Sequence, residues 1–108
     1  FDTVLSEIKR VLRSGGEFYF TMISKNSWTF SSPEAPTRRI DENSIYIDGK
    51  ESEIDVPHFY VNLDDIKKLF SDDFEFIAPI KEIETTEILP NGDFKEFSRH
   101  FVLHLRKK

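Results

Sequence analysis

The stretch "VLRSGGEFYF", residues 11–20, decides the fold because it joins the end of an apolar helical pattern to the start of an aromatic strand. The apolar residues before it recur at helical spacing: Val4, Leu5, Ile8, Val11 and Leu12. They predict an amphipathic helix over residues 3–13, with Asp2 or Thr3 as its N-cap. Gly15 is expected to take the left-handed conformation that closes a helix, and Gly16 to let the chain turn back without a Cβ clash.

Residues 17–24, "EFYFTMIS", continue this stretch as a strand. Both of its faces carry large apolar side chains, which predicts a strand buried on both sides in a sheet covered by helices on each face. A strand of this kind needs a neighbour on each edge, and the hairpin that ends the chain supplies only one. We therefore expect the exposed edge of 17–24 to pair with a second copy and form a homo-oligomer.

Residues 25–57 have no sustained periodicity and contain Pro33, Pro36 and Pro57. A connection of this length inside a small domain is expected to be functional, as a lid over substrate, or to be partly mobile. Within it, the alternation of Ile45 and Ile47 before Asp48-Gly49 predicts a small hairpin.

The remaining elements have clear signals. Asn62 is a good N-cap for a second helix over 63–70. Residues 74–80 alternate as a strand, and Pro79 indicates an edge position or a bulge. The turn residues 90–93, "PNGD", precede apolar residues at even spacing, which predicts a C-terminal antiparallel hairpin. The predicted class is α/β, with two helices flanking a small sheet.

Composition excludes several classes of function. The 108 residues suffice for one domain with one core, so residues 1–108 are expected to form a single unit. A net charge of −5 argues against a nucleic-acid partner. The absence of cysteine excludes disulfides and thiolate metal sites and favours the cytoplasm. No apolar run approaches the roughly 20 residues that span a bilayer, so no membrane partner is expected.

Several segments resemble one family. "LSEIKRVLRSGGEFYFTMIS" is similar to the helix, double glycine and fifth strand of class I S-adenosylmethionine-dependent methyltransferases, with Ser14 where that family often has proline. "VPHFYVNLDDIKKLF", "FEFIAPIKEIETTEI" and "FSRHFVLHLRKK" resemble the helix and the two strands that end the family's domain. The resemblance implies a partial Rossmann-like sheet, in which the seventh strand runs antiparallel between the fifth and the sixth.

The chain lacks the family's cofactor-binding half. It holds four glycines and no GxGxG loop, so the resemblance implies the C-terminal half of such an enzyme, with the preceding half outside this chain. S-adenosylmethionine is then a cofactor of the full-length protein only, and this chain alone is expected to be inactive. The implied reaction is methyl transfer to a small-molecule acceptor, in which the protein mainly aligns donor and acceptor.

Four residues are candidates for binding that acceptor. His58 and Tyr60, just before the second helix, are placed to reach over the strand ends, and His58 can act as a base near neutral pH. Trp28 and Phe30 follow the C-terminal end of the strand 17–24, where ligands lie in open α/β sheets. The competing interpretations are a structural loop histidine for His58 and a core-capping role for the aromatic residues.

Other polar residues favour structural roles. His100 and His104 share a strand face, but a metal site needs a third ligand that the pattern does not offer. The spacing of Glu82, Glu84 and Glu87 is typical of a solvated surface. Two other functions stay open: a stand-alone, non-catalytic α/β interaction module, and a degenerate paralogue that keeps the fold for assembly only.

Overall fold

The structure is a computed structural model, and it describes residues 1–35, 37–48, 56–88 and 94–108, the side chains of 87, 88 and 94–96 excepted. The elements are α1 (Asp2–Val11), β1 (Glu17–Ser24), α2 (Trp28–Ser31), β2 (Thr37–Arg39), β3 (Ser44–Ile47), β4 (Pro57–Val61), α3 (Leu63–Phe70), β5 (Phe74–Phe76), β6 (Lys81–Ile88) and β7 (Phe94–Lys107). The α/β class is confirmed. The described residues form three helices where two were predicted, because the short helix α2 lies inside the predicted 25–57 connection.

Seven described strands form one mixed sheet in the order β2-β3-β4-β1-β7-β5, with β6 also paired to β7. Strand β7 lies between β1 and β5 and is antiparallel to both. On its other edge β1 pairs in parallel with β4, but only where Ile23 faces Tyr60 and Ser24 faces Val61. On its opposite edge, strand β4 pairs with β3 along residues 57–59. On the side away from β7, residues 17–22 therefore pair with no strand of the described chain.

The twin glycines close α1 much as predicted. The helix ends at Val11 and Leu12 is its extended C-cap, so the predicted end at residue 13 was two residues too late. Gly15 has φ +82°, the left-handed conformation that glycine tolerates best. A Cβ at Gly16 would lie 2.9 Å from the Arg13 carbonyl oxygen, so this position requires glycine for space. The predicted Asp2 or Thr3 cap was wrong, because the N-cap is Phe1 and makes no side-chain cap bond.

Backbone and side-chain bonds tie this turn to β7. The Gly15 N–H donates to the Lys107 carbonyl at 2.7 Å, and the Lys107 N–H donates to the Gly16 carbonyl at 2.8 Å. The Lys107 ammonium donates to the carbonyls of Lys9 and Leu12, at the C-terminal end of α1. A cation at this end satisfies free carbonyl groups and opposes the helix dipole.

The main core lies on one face of the sheet. Helices α1 and α3 both pack there, and its buried residues are Met22, Val61, Ile66, Phe70, Phe74, Phe101, Leu103 and Leu105. A second, smaller core on the other face consists of Ile45, Ile47 and Tyr60, with Ile23 and Phe30 against them. The prediction that β1 is buried on both faces was wrong, since Tyr19 is 70% exposed. Helices α1 and α3 cover the face of β1 opposite to Tyr19. On the Tyr19 face, the small core reaches only the Ile23 end of the strand.

The C-terminal hairpin forms as predicted from β6 and β7, while the turn 90–93 lies outside the described residues. Strands β5 and β6 follow the same edge of β7, separated by a break that contains Pro79. Phe76 faces Leu105 and Lys81 faces Val102, so the break inserts two extra residues. The edge position indicated by Pro79 is confirmed, because β5 lies at the edge of the sheet. The strand predicted over 74–80 was too long, since β5 ends at Phe76 and β6 begins only at Lys81. Strand β3 confirms the apolar alternation at 44–47, but the rest of its predicted small hairpin lies outside the described residues.

Candidate functional site

Strands β1 and β4 run in parallel and end side by side, at Ser24 and Val61. The Lys25 N–H donates to the Val61 carbonyl at 2.9 Å and joins the two chain segments just past the strands. Asn26 and Asn62 follow directly. Ligands of open α/β sheets lie at this carboxyl edge, so the side chains gathered here are the first candidates for a functional site.

Glu82, on β6, brings a carboxylate to the end of β1. Its Oε1 accepts hydrogen bonds from Ser24 Oγ at 2.8 Å and from Asn26 Nδ2 at 3.1 Å. Arg99 Nε lies 3.3 Å from the same oxygen, and it makes no hydrogen bond of good geometry although the atom is buried. All three contacts are to Oε1. Within the described chain, Glu82 Oε2 has no partner.

A cavity of 280 Å³ opens beside this carboxylate. It is lined by Asn26, Asn62, Leu63, Asp64, Glu82 and Phe101. We call it the carboxyl-edge cavity. Its walls offer two carboxylates, two carboxamides and an aromatic ring, and none of its lining residues is a cation or a histidine. Such walls can hold and orient a small polar molecule through hydrogen bonds.

The rim formed by α3 is rigid. Asn62 and Asp65 form a capping box, in which Asp65 N–H donates to Asn62 Oδ1 at 2.8 Å and Asn62 N–H to Asp65 Oδ2 at 2.9 Å. Lys25 Nζ lies 2.9 Å from the same Asp65 oxygen, and Asn43 Nδ2 donates to it. Partial burial alone would raise the pKa of Asp65, but the Asn62 amide and the Lys25 ammonium outweigh it and lower that pKa below its usual value.

Two of the four predicted site residues meet in the second core. The rings of Phe30 and Tyr60 lie 5.1 Å apart, and Tyr60 is 2% exposed. Tyr60 Oη and Thr29 Oγ1 are 2.8 Å apart in a buried hydrogen bond. These contacts are those of core residues that hold α2 against β4. On the outer side, the Arg39 guanidinium lies 4.2 Å from the centroid of the Phe30 ring.

The structure does not bring the other two candidates to the cavity. His58 lies opposite Ile45 in the β3–β4 pair, and its Nδ1 is 2.9 Å from the Val56 carbonyl oxygen. Trp28 is the first residue of α2 and is half-buried. None of the four predicted residues lines the carboxyl-edge cavity. Their role in binding an acceptor stays a prediction.

Sequence reasoning missed Glu82, which it assigned to the solvated surface together with Glu84 and Glu87. The break at Pro79 was the available signal, because a bulge shifts the following strand along its partner and redirects its side chains. His104 of β7 makes contacts within the sheet: its Nε2 lies 2.7 Å from Glu17 Oε1, and its ring stacks on Tyr19 at 3.8 Å. The described residues contain no group of three potential metal ligands.

Two further cavities lie between the first residues of the chain and β4. One, of 290 Å³, is largely apolar and runs from Val4 and Ile8 of α1 to Phe20 of β1. The other, of 490 Å³, lies between Asp41 and Leu69. Both are lined by Phe1 and Phe59, whose rings stack at 5.1 Å. The apolar cavity is lined by residues 18 and 20–23 of β1, beside its unpaired edge, whereas the larger cavity is lined by no residue of β1.

Comparison with known proteins gives no relative: no family model, curated protein or solved structure matches the chain. None of the helices in the described ranges has the length and apolar content needed to cross a bilayer.

Proposed function

We propose that this chain is the C-terminal part of a class I S-adenosylmethionine-dependent methyltransferase that acts on a small-molecule acceptor in the cytoplasm, with its cofactor-binding half outside the chain. The observation that carries the proposal is the order β1-β7-β5, with β7 antiparallel between its neighbours. The resemblance implies this arrangement for the fifth, seventh and sixth strands.

The described residues do not fit the cofactor by themselves. Gly15 and Gly16 are used to close α1 and to join it to β7, so neither forms a loop around a nucleotide. We therefore assign no catalytic step to S-adenosylmethionine in this chain. The chain contributes to the reaction by holding and orienting the acceptor in the carboxyl-edge cavity. This supplies the alignment of donor and acceptor that methyl transfer requires.

The open edge of β1 gives the missing half a place to attach. Lys25 N–H points to β4, and N–H groups alternate along a strand, so the N–H groups of Thr21 and Tyr19 point to the unpaired edge. The apolar cavity of 290 Å³ lies beside them and accommodates the side chains of an added strand. In the full-length protein this strand comes from the preceding half.

In the isolated chain a second copy takes that place. We propose that the chain alone forms a homo-oligomer through residues 17–22, since residues 23 and 24 are already paired with β4. Sedimentation at high concentration should give a dimer or larger species. A monomer with a well-dispersed NMR spectrum would refute the oligomer.

Calorimetric titration with S-adenosylmethionine tests the assigned function. The full-length protein should bind the cofactor, and the 108-residue chain should show no binding. Micromolar binding of S-adenosylmethionine by the 108-residue chain would overturn the proposal that the cofactor site lies outside this chain. A full-length protein that does not bind the cofactor would overturn the methyltransferase itself.

A second candidate is a non-catalytic α/β interaction module, and the open edge of β1 with its apolar cavity favours it. The two candidates differ in what precedes residue 1. The methyltransferase requires an upstream coding sequence with a glycine-rich loop after a strand. The interaction module requires no such loop, and its full-length protein would not bind S-adenosylmethionine.

A further inference from the structure

We propose that the carboxyl-edge cavity binds the ammonium group of a small organic cation, with Glu82 Oε2 as the principal acceptor. Binding of the cation follows from the cavity alone. The same molecule becomes a methyl acceptor only after its ammonium group has lost a proton to solvent, which frees the nitrogen lone pair, and this second role rests on the proposed function.

Glu82 is held in a fixed orientation with one oxygen left over. Ser24 Oγ, Asn26 Nδ2 and Arg99 Nε all contact Oε1, and Ser24 itself is fully buried. An ionised carboxylate accepts about four hydrogen bonds on its two oxygens. The Glu82 side chain is 23% exposed and lines the cavity, so Oε2 remains to accept a donor from a ligand. A preorganised, partly desolvated carboxylate makes a strong bond to a charged donor.

The charges around the cavity favour a cation. Asp64 adds a second carboxylate, and Asn26 and Asn62 add carboxamides that can accept from the same ligand group. Of the nearest basic groups, Lys25 pairs with Asp65. Arg99 lies 3.3 Å from Glu82 Oε1 and 3.8 Å from Glu84 Oε1, so one guanidinium is shared between two carboxylates and leaves net negative charge at the cavity. The amino end of α3 would favour an anion, but Asp64 and Asp65 in its first turn already oppose that effect.

The size and the apolar wall limit the rest of the ligand. A cavity of 280 Å³ is slightly smaller than the range of about 300–1,000 Å³ that is typical of small-molecule sites, which indicates a small ligand. Phe101 and Leu63 provide a wall for one ring or a short alkyl chain. An aromatic ring also attracts a nearby cation through its π face. A primary arylalkylamine combines these features.

NMR titration of the ¹⁵N-labelled chain tests the proposal with two probes of the same shape, phenethylammonium and 2-phenylethanol. Phenethylammonium should shift the amide signals of Asn26 and Leu63 and bind about tenfold more tightly than the alcohol. Glu82→Gln should abolish this difference. The matched control is Glu84→Gln, on the same strand but outside the cavity lining, and it should keep the difference.

The comparison of the two probes in the wild-type chain needs no variant, so it decides the matter even if Glu82→Gln folds poorly. Equal affinity for ammonium and alcohol, no shift at Asn26 and Leu63, or a loss of the difference in Glu84→Gln would overturn the proposal. Tighter binding of acetate would overturn it as well. None of these results affects cofactor binding by the full-length protein, so the two proposals fail separately.

Discussion

Replacing Gly16 by alanine should destabilise the fold more than the same change at Gly15. A Cβ at Gly16 would lie 2.9 Å from the Arg13 carbonyl oxygen and 3.1 Å from Leu12 Cδ2, whereas a Cβ at Gly15 meets nothing within 4 Å. The helix end cannot move away freely, because Gly16 N–H donates to Arg13 at 2.9 Å and the Lys107 ammonium holds Leu12. Overpacking costs about 1–3 kcal/mol and a lost backbone hydrogen bond about 1 kcal/mol.

At both positions alanine also restricts the unfolded chain, which offsets about 0.4–1 kcal/mol of the loss. We therefore expect Gly16→Ala to lower the free energy of unfolding by about 1–3.5 kcal/mol. Gly15→Ala carries a left-handed penalty of about 1–2 kcal/mol, so its net loss should be about 1.5 kcal/mol or less.

Equilibrium unfolding in urea, followed by far-ultraviolet circular dichroism, measures both losses. Each 1 kcal/mol corresponds to about 4–8 °C in Tm for a domain near this size, so thermal unfolding gives a second reading. The reasoning fails if Gly16→Ala unfolds within about 0.5 kcal/mol of the wild type. It also fails if Gly15→Ala is the more damaging change.

Three further changes test the packing and the charges. Lys107→Met should lower the free energy of unfolding by about 1–2 kcal/mol in urea, because the C-terminal carbonyls of α1 lose their cation. If the variant is as stable as the wild type, water replaces the ammonium group at these carbonyls without loss. Tyr60→Phe should cost about 1 kcal/mol in the same assay by removing the buried bond to Thr29, and a double-mutant cycle with Thr29→Val should show coupling. The Asp65 carboxylate, whose pKa is held below its usual value, stabilises the fold at neutral pH and loses this effect as the pH falls through its folded pKa. Asp65→Asn should therefore be less stable at neutral pH and show a flatter loss of stability in acid, and an unchanged acid slope would contradict the role of the Lys25 pair.

Local signals predicted the helices and strands that depend on nearby residues. The capping residue Asn62 and the apolar stripe after it predict α3 with its observed bounds. The paired glycines predict the turn before β1, and Pro79 predicts the edge position of β5. These features depend on backbone conformation and periodicity, which a short stretch of sequence determines.

Features that depend on distant partners were not predictable in this way. The apolar side chains of β1 do not determine which face of the strand a helix covers. Helices α1 and α3 both pack on the Met22 face, which leaves Tyr19 exposed. The partners of Glu82 lie 56 and 58 residues away in sequence, at Asn26 and Ser24. Its role in the cavity depends on the register of β6 against β7, and no periodicity encodes that register.

The central claim is that the edge of β1 over residues 17–22 pairs with a strand from outside this chain. Amide hydrogen exchange measures this residue by residue, because alternate N–H groups point to opposite edges. Phe20 and Met22, whose N–H groups point to β7, should be protected in the isolated chain and in the full-length protein alike. Tyr19 and Thr21 should exchange fast in the chain kept monomeric by dilution and become protected in the full-length protein. Fast exchange of Tyr19 and Thr21 in the full-length protein would contradict the claim.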